Sequence, residues 1–291
     1  MTDGVLIRRL TPADVPAAHE TAYQALREAG QRYRWHTPPL DEALRRRGQR
    51  RIRHCLDHDP AGAHVAEQAG RLVGVGLATR RGPLWFLSLL AVSTERQGTG
   101  IGRRLLEATT ATLEDAGAIC SSDDPKALRR YRRAGFDLLP CLEATGTVDR
   151  SRLPADPGVR QGSFEADRDL VEQVAGHLRG APHGPDLDFY AASGQPLFVL
   201  DEPGGRGYMV LRATGPSVLG ATTAPAAARL LWAALAAATA PEPEVRWLTH
   251  DQQWAIDVAL AAGLSIRPSG ATCRFGRLGP MAPYLPSGAF G

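Results

Sequence analysis

The chain contains almost no lysine. Lys126 is the only lysine among its 291 residues, and the remaining Lys/Arg positions are all arginine. This bias accompanies abundant Ala, Gly and Pro along the whole chain, so a single arginine is weak evidence for a binding site. The net charge of +3 is too small to indicate nucleic-acid binding by itself. The arginine-rich segment "RRRGQRRIRH" keeps nucleic-acid binding open only as a weak alternative to a solvated helix face.

Metal-binding patterns and long apolar runs are also missing. The cysteines at positions 55, 120, 141 and 273 form no C-x-x-C pair, so neither a zinc site nor a dithiol motif is indicated. No apolar run reaches the roughly 18 residues that a membrane-spanning helix needs. The N-terminal segment "MTDGVLIRRLTPADV" lacks the apolar centre of a signal peptide. We therefore expect a cytoplasmic protein with free thiols, no metal and no membrane contact.

The first half of the chain predicts alternating strands and helices. A strand beginning at Val5 leads to a helix with Thr11 as its N-cap, and a second helix covers about 40–57. "AHVAEQAGRLVGVGLATR" is typical of a hairpin. "PLWFLSLLAV" is apolar on both faces, which predicts a central strand. The remaining elements are a helix over about 100–115, a strand "GAICSS", a helix "DPKALRRYRRAG" and a strand "FDLLPCLEATGTV".

The second half repeats this order. The Pro- and Gly-containing segment "DRSRLPADPGVRQG" is typical of a linker, so we expect one domain over residues 1–150 and a second over 155–291. Aligning "ALRRYRRAGFDLLP" with "AIDVALAAGLSIRP" pairs Gly135 with Gly263 and Pro140 with Pro268. A repeat of this length indicates a duplicated domain.

Three glycines lie between a buried strand and a helix start. Gly98, Gly100 and Gly102 let the backbone approach a ligand closely, and the helix start supplies unpaired N–H groups. This combination suits a phosphate or pyrophosphate. A Walker loop is excluded, because Arg103 and Arg104 stand where Lys and Ser or Thr are required. The spacing also differs from the G-x-G-x-x-G dinucleotide fingerprint.

The stretch "RQGTGIGRRLLE" resembles the Q/R-x-x-G-x-G/A acyl-CoA signature of the GNAT superfamily of N-acetyltransferases. The upstream "LSLLAV" is similar to the central strand of that family, and "DPKALRRYRRAGF" is similar to a later helix. The resemblance implies an α/β (α+β) fold with two GNAT-like domains in tandem. Each would be a mixed, mostly antiparallel twisted sheet flanked by helices. It also implies acetyl-CoA as co-substrate.

The resemblance implies roles for particular residues. The loop would hold the pyrophosphate of acetyl-CoA and the preceding strand its pantetheine arm, through Leu90, Ala91, Val92, Gln97, Gly98, Thr99, Gly100, Ile101, Gly102 and Arg103. Tyr131 is similar to the tyrosine general acid of the family, and Ala127 shares its helix face. The alternative for Tyr131 is an ordinary packing role.

The acceptor site is less clearly indicated. Tyr33, Trp35 and His36, in the connection after the first helix, either line an acceptor pocket or close the core. Asp123 follows a strand near the expected cleft and is a further candidate. No general base is assigned, since Glu95, Asp124 and His36 each have a simpler explanation.

The second half lacks the same chemistry. When Leu105-Leu106 is aligned with Leu230-Leu231, Gly100 falls on Pro225. Tyr131 falls on an alanine in the repeat alignment. We expect a degenerate domain without the pyrophosphate loop, and one active site per chain. The expected function is acetyl transfer from acetyl-CoA to a primary amine of a small molecule or peptide by direct attack, in a monomer or homodimer. The alternative is a non-catalytic acyl-CoA-binding sensor.

Overall fold

The structure is a computed structural model that describes residues 4–33 and 38–291. The helices in chain order are α1 (Val15–Tyr33), α2 (Glu42–His58), α3 (Ile101–Thr110), α4 (Pro125–Arg133), α5 (Arg168–Arg179), α6 (Asp186–Ala192), α7 (Ala224–Ala237) and α8 (Gln253–Ala261). The strands are β1 (Val5–Arg9), β2 (Ala63–Gln68), β3 (Arg71–Arg81), β4 (Leu84–Val92), β5 (Ala116–Ser121), β6 (Asp137–Thr145), β7 (Arg160–Gln161), β8 (Leu197–Glu202), β9 (Gly205–Arg212), β10 (Gly215–Ala221), β11 (Glu244–Leu248), β12 (Ser265–Gly276) and β13 (Tyr284–Leu285).

Local capping signals account for the helix starts. Thr11 and Asp14 form a capping box around the 3₁₀ turn that leads into α1. The Asp41 carboxylate accepts from the Leu44 N–H at 2.7 Å at the start of α2. The Asp124 carboxylate accepts from the Lys126 N–H at 2.8 Å at the start of α4. These side chains satisfy backbone donors that a helix start leaves unpaired.

The strands form two sheets. One has eight strands in the order β1-β2-β3-β4-β5-β12-β6-β11, and the other has five in the order β13-β10-β9-β8-β7. Among the described residues, only β4 and β5 pair in parallel. The fold is therefore mixed, mostly antiparallel α/β, with helices flanking the sheets, as the sequence predicts.

The two halves of the chain exchange strands. β12, from the second half, lies between β5 and β6 of the first, and β6 also pairs with β11. Gly135 and Gly263 end α4 and α8 with φ of +94° and +86°, and each is followed by an exchanged strand. The segment predicted as a linker near residue 155 lies between β6 and β7. The sheets do not follow the two halves, because β12 pairs with β5 and β6 pairs with β11.

The core likewise spans both halves. One group of packed, buried apolar side chains includes Val75 and Leu77 from the first half, Tyr208 and Val210 from the second, and Phe290 near the C-terminus. Within residues 4–33 and 38–291, no helix is both long and apolar enough to cross a lipid bilayer.

A buried polar network also joins the halves. The Asp186 carboxylate on α6 is fully buried and accepts from Arg81 Nε at 2.9 Å. It also lies 2.8 Å from His54 Nε2. Arg81 binds the Asp59 carboxylate as well, at 2.9 Å. Removing Asp186 would leave Arg81 as a buried cation with half of its counter-charge.

We expect Asp186→Ala to lower the free energy of unfolding by about 3–5 kcal/mol, the usual loss when one partner of a buried ion pair is removed. Urea denaturation at neutral pH measures this. Asp188→Ala on the same helix is the control, because Asp188 is exposed and its ion pair with Arg168 lies at the surface. A surface pair contributes little. Equal losses for the two variants would contradict the role assigned to Asp186.

Candidate active site

β4 and β5 separate towards their C-terminal ends. They pair only between Leu84–Phe86 and Ala116–Ala118. β4 also carries a bulge at Ser88, where its register with β3 shifts. A bulge bends a strand and increases its twist. The gap between the diverging strands opens into a cavity of about 1520 Å³, and Leu90, Ala91 and Val92 line it.

The glycine loop forms an open cradle at the end of this gap. It connects β4 to α3, with Gly98 at φ +86° and Gly100, the N-cap of α3, at φ +91°. No described group accepts a hydrogen bond from the backbone N–H groups of residues 98–102. A Cβ added at Gly98 or Gly100 would meet no atom within 4 Å. Consecutive free donors at the positive end of a helix fit a pyrophosphate.

The Gln97 side chain braces the loop. Its Nε2 donates to the Val92 carbonyl at 3.2 Å, and its Oε1 accepts from Lys126 Nζ at 3.2 Å. Gln97 thus connects the end of β4 to α4, and its side-chain amide is used within the protein. The acyl-CoA signature implies a direct contact of Gln97 with the ligand, whereas this side chain is bound within the protein.

Arg130 brings a positive charge to the cradle. A Cβ at Gly102 would lie 3.0 Å from Arg130 Cζ, so the guanidinium covers this glycine. Arg103 also lines the cavity, and it pairs with Glu107 at 3.0 Å. Arg130 was not predicted from the sequence, because α4 is rich in arginine and no single arginine in it is distinctive.

Two residues of the predicted loop contribute backbone rather than side chains. Thr99 is exposed, and its hydroxyl donates to the Arg96 carbonyl at 2.7 Å. Ile101 is buried and packs with Val92 and Leu105. Neither residue lines the cavity, and no described group accepts from the backbone N–H of either one.

Tyr131 lies on the cavity wall. Its side chain is 5% exposed, and Ala127, one turn earlier on α4, lines the cavity too. Burial, reinforced by Cys273, raises the pKa of the Tyr131 hydroxyl above its ordinary value of 10.0. No described residue forms a hydrogen bond with this hydroxyl. Tyr131 is therefore a neutral phenol whose proton is not accepted by any residue that the structure describes.

The predicted acceptor residues lie in different places. The Tyr33 hydroxyl donates to Asp124 Oδ1 at 2.9 Å, which ties the end of α1 to the start of α4. Asp123 is exposed, and neither it nor Tyr33 lines the cavity. Trp35 and His36 lie outside the described residues.

The opposite wall of the cavity comes from elements that the sequence analysis did not single out. It includes Arg212 at the end of β9, Arg246 and Trp247 in β11, and residues 287–289 near the C-terminus. Arg51 of α2 donates from Nε to the Ser88 hydroxyl at 3.1 Å, so it is anchored at the β4 bulge. These residues belong to no motif, and only the fold brings them together.

The corresponding gap in the second half is closed. Only Thr222 and Thr223 connect β10 to α7, where residues 93–100 connect β4 to α3. β10 is the strand of the second half that is equivalent to β4. β13 pairs with it through Leu219–Leu285 and Gly220–Tyr284. The second half thus has a short link in place of a cradle, and the C-terminal segment fills the place beside its strand.

A side chain following β11 holds this segment from the other side. Gln252 Nε2 donates to the Met281 carbonyl at 2.8 Å. Its Oε1 accepts from the Tyr284 N–H at 3.1 Å. The segment is therefore bonded on both sides.

A family model matches the part of the chain that builds the glycine cradle. Residues 23–136 match the family described as the acetyltransferase (GNAT) family. This range contains the cradle, both diverging strands and Tyr131. No curated protein sequence matches the chain.

Solved structures share the fold over both halves. A Pyrococcus horikoshii protein provisionally described as an acetyltransferase aligns with a TM-score of 0.79 and 17% identity, over 99% of this chain and 96% of its own. A GCN5-related N-acetyltransferase from Kribbella flavida aligns at 0.58 and 14% identity, over 94% of this chain and 71% of its own. A tandem GNAT protein from the clavulanic acid biosynthesis pathway, solved without acetyl-CoA, aligns at 0.57 and 15% identity, over 93% and 98%.

At these sequence identities the structural comparisons establish the fold alone. The family match applies to residues 23–136, which include the glycine cradle. Two GNAT-like units follow one another in the chain, as in the tandem GNAT protein. Residues 23–136 therefore match the acetyltransferase (GNAT) family, the enzymes that transfer an acetyl group from acetyl-CoA, and the chain as a whole shares the fold of a tandem GNAT protein.

Proposed function

We propose that this protein transfers the acetyl group of acetyl-CoA to a primary amine of a small molecule or peptide, by direct attack of the amine on the thioester. One observation carries the proposal: a single cavity runs from the free amides of residues 98–102, past the diverging end of β4, to the wall formed by the second half. Such a cavity can hold two substrates, with one entering from each side.

The first half supplies the groups that acetyl-CoA requires. The amides of residues 98–102 and the Arg130 guanidinium would bind the pyrophosphate. The edge of β4 at Leu90 and Ala91 would present backbone donors and acceptors to the amides of the pantetheine arm, because β5 does not pair with this part of β4. Val92 also lines the cavity, but its carbonyl already accepts from Gln97. A backbone N–H in the same region would stabilise the oxyanion that forms during attack.

Tyr131 would complete the reaction. The amine nitrogen forms a bond to the thioester carbonyl carbon, the carbon–sulfur bond breaks, and the sulfur takes the proton of the Tyr131 hydroxyl. The amine proton passes to water, and water returns a proton to the Tyr131 phenolate, which restores the phenol. Burial keeps the Tyr131 phenol protonated throughout the neutral pH range, so it is always in the form that can donate.

A covalent acetyl-enzyme is the less favourable route. Cys120 is the cysteine that lines the cavity. Burial raises the pKa of its thiol well above the ordinary value, so the nucleophilic thiolate is scarce at neutral pH. Direct attack needs no such nucleophile.

The proposal is tested by measuring free thiol released from acetyl-CoA across a broad panel of primary amines, with isothermal titration of CoA as an independent measure of binding. We expect CoA to bind and at least one class of amine to accelerate thiol release well above the rate of hydrolysis. CoA binding without acceleration by any amine would instead favour the non-catalytic acyl-CoA sensor.

A further inference from the structure

The cations that line the cavity form two separate groups. Arg103, Lys126, Arg129, Arg130 and Arg133 belong to α3 and α4, beside the glycine cradle. Arg47, Arg51, Arg212 and Arg246 lie on the opposite side, on α2 and on strands of the second half. The first group serves the phosphates of CoA under the proposed function. The second group has no role in that assignment.

Two members of the second group meet in a side recess of about 50 Å³. Arg212, Ser217, Arg246, Trp247 and Gly288 are among the residues that line it, and we call it the arginine recess. A water molecule takes up about 30 Å³ in the liquid, so the recess holds one small polar group rather than a ring or a chain. All of these residues belong to strands or turns of the second half, so the second half builds the recess.

The arginines of the recess keep unused hydrogen-bond donors. Arg246 donates to no described residue, and its guanidinium lies 4.8 Å from the centre of the Trp247 ring. Arg212 donates to Glu244 at 2.6 Å. The Nε atoms of both arginines are buried without a partner. The side chains of Arg246 and Arg212 are 30% and 36% exposed, so the terminal N–H groups of Arg246, which no described residue accepts, are open to a ligand that accepts hydrogen bonds.

The charge of the recess is not cancelled by its neighbours. Glu244 balances Arg212. Glu143 is 3.7 Å from Arg246, but its carboxylate is already bound by Arg267 and by the Ser269 hydroxyl. Arg47 forms no ion pair with a described residue. Arg246 and Arg47 therefore leave this side of the cavity positive.

The recess is also close to the place where the strands diverge. Arg246 opposes the rise in the pKa of the Cys120 thiol that burial causes, so its charge reaches the end of β5. A positive cavity disfavours the protonated form of an incoming amine and lowers its pKa. The lowered pKa supplies a neutral amine nucleophile without a dedicated base. The acceptor must then carry a negative group, because the positive cavity repels a cationic amine.

We infer, on the basis of the proposed function, that the acceptor is a small amine that also carries an anionic group, a carboxylate or a phosphonate-like oxyanion, and that Arg212 and Arg246 bind this group in the arginine recess. The amine then points from the recess towards the diverging ends of β4 and β5.

Matched acceptors test this inference. β-Alanine, 2-aminoethylphosphonate, β-alaninamide and 1,3-diaminopropane have similar lengths, and they carry a carboxylate, a phosphonate, a neutral amide and a second cation. We expect kcat/KM for one of the two anionic amines to exceed that for the amide by about 10- to 100-fold, the range for hydrogen bonds to charged groups. The better anion distinguishes a carboxylate site from a phosphonate site. Equal rates for anionic, neutral and cationic amines would overturn the inference.

Variants of the two recess arginines test whether the recess causes the preference for an anionic acceptor. Arg246→Gln and Arg212→Gln should remove most of the preference for the anion, mainly through KM, while the Kd for CoA stays unchanged and reports that the protein is folded. Arg206→Gln is the control, because Arg206 is on the same strand as Arg212, pairs with Asp201 and does not line the cavity. A preference that survives both recess variants would place the anion elsewhere and contradict the inference.

A binding measurement separates this inference from the proposed function. N-acetyl-β-alanine titrated into the CoA-saturated protein should bind more tightly than N-acetyl-β-alaninamide, and Arg246→Gln should abolish the difference. If no amine releases CoA, the proposed function fails, yet Arg246-dependent binding of the anion still supports the recess. No difference between the two probes would refute the recess even if some amines are acetylated.

Discussion

Gly100→Asp is expected to raise the Kd for CoA by at least about 100-fold, as measured by isothermal titration. Asp would place a carboxylate at the N-cap of α3, beside the unpaired amides of residues 98–102. Two like charges about 4 Å apart repel by several kcal/mol at the effective dielectric of a protein surface, and 1.4 kcal/mol corresponds to tenfold in affinity. The carboxylate would also bind the free amides itself and so compete with the pyrophosphate.

The fold should tolerate this substitution. A Cβ at Gly100 meets no atom within 4 Å, and Asp is one of the few residues that adopt a positive φ at modest cost. Gly100→Asn separates charge from shape, because Asn has the same size and the same tolerance of positive φ. We expect Asn to weaken CoA binding far less than Asp.

Gly82→Asp controls for a general effect of such a change. Gly82 has φ of +55° and open space around it, in the turn between β3 and β4, and it does not line the cavity. CoA affinity should be unaffected. Wild-type affinity in Gly100→Asp would show that the cradle is not the pyrophosphate site.

Tyr131→Phe is expected to lower kcat by about 100-fold or more, with the Kd for CoA unchanged. General acid catalysis contributes about 10²- to 10⁴-fold, and Phe removes the only atom that the mechanism uses. Because the Tyr131 hydroxyl has no hydrogen bond to a described residue, its removal leaves no buried group unpaired, and stability should change little. Steady-state kinetics at saturating acceptor, with CoA titration, measure both quantities.

Tyr23→Phe is the matched control. Tyr23 also lines the cavity and is 8% exposed, but its hydroxyl donates to the Pro38 carbonyl at 3.0 Å, away from any catalytic role. We expect Tyr23→Phe to keep kcat. Equal kcat values for Tyr131→Phe and the wild type would rule out Tyr131 as the general acid.

The pH dependence should follow from the same burial. The pKa of Tyr131 lies above its ordinary value of 10.0, so its protonated, active form is complete below that pH. The kcat of the wild type should therefore rise or stay level from pH 6 to about 9.5, with no alkaline decline from loss of this proton. A decline with a midpoint near pH 8 would assign the acid to another group.

The sequence predicted the proposed acetyl-CoA side of the site because its signals are local. Three glycines, a helix start and the buried strand before them are neighbours along the chain, and each is required by backbone geometry at that point. Tyr131 was found through its position in the helix after the next strand. The local signals were less informative about side-chain roles: Gln97 braces the loop, and Thr99 and Ile101 contribute only backbone.

The sequence did not predict the proposed acceptor side, because the residues that form it are far apart along the chain. Arg51, Arg212 and Arg246 are separated by up to most of the chain, and in an arginine-rich sequence none of them stands out. The arginine-rich composition makes any single arginine weak evidence for a binding site. For that reason the sequence did not indicate the arginines that make one wall of the cavity positive. The position of Arg246 beside Arg212 and Trp247 in the arginine recess is a property of the fold.

The sequence by itself determined the order of the elements in the first half, the glycine loop and the duplication, because capping residues, glycine positions and apolar periodicity act over a few neighbouring residues. Only the tertiary structure decided that β12 enters the sheet between β5 and β6, and that Tyr284 and Leu285 fill the gap of the second half. Strand pairing joins residues more than 100 positions apart, and any strand with a suitable apolar face satisfies the same local pattern. The choice between such partners depends on how both halves pack together.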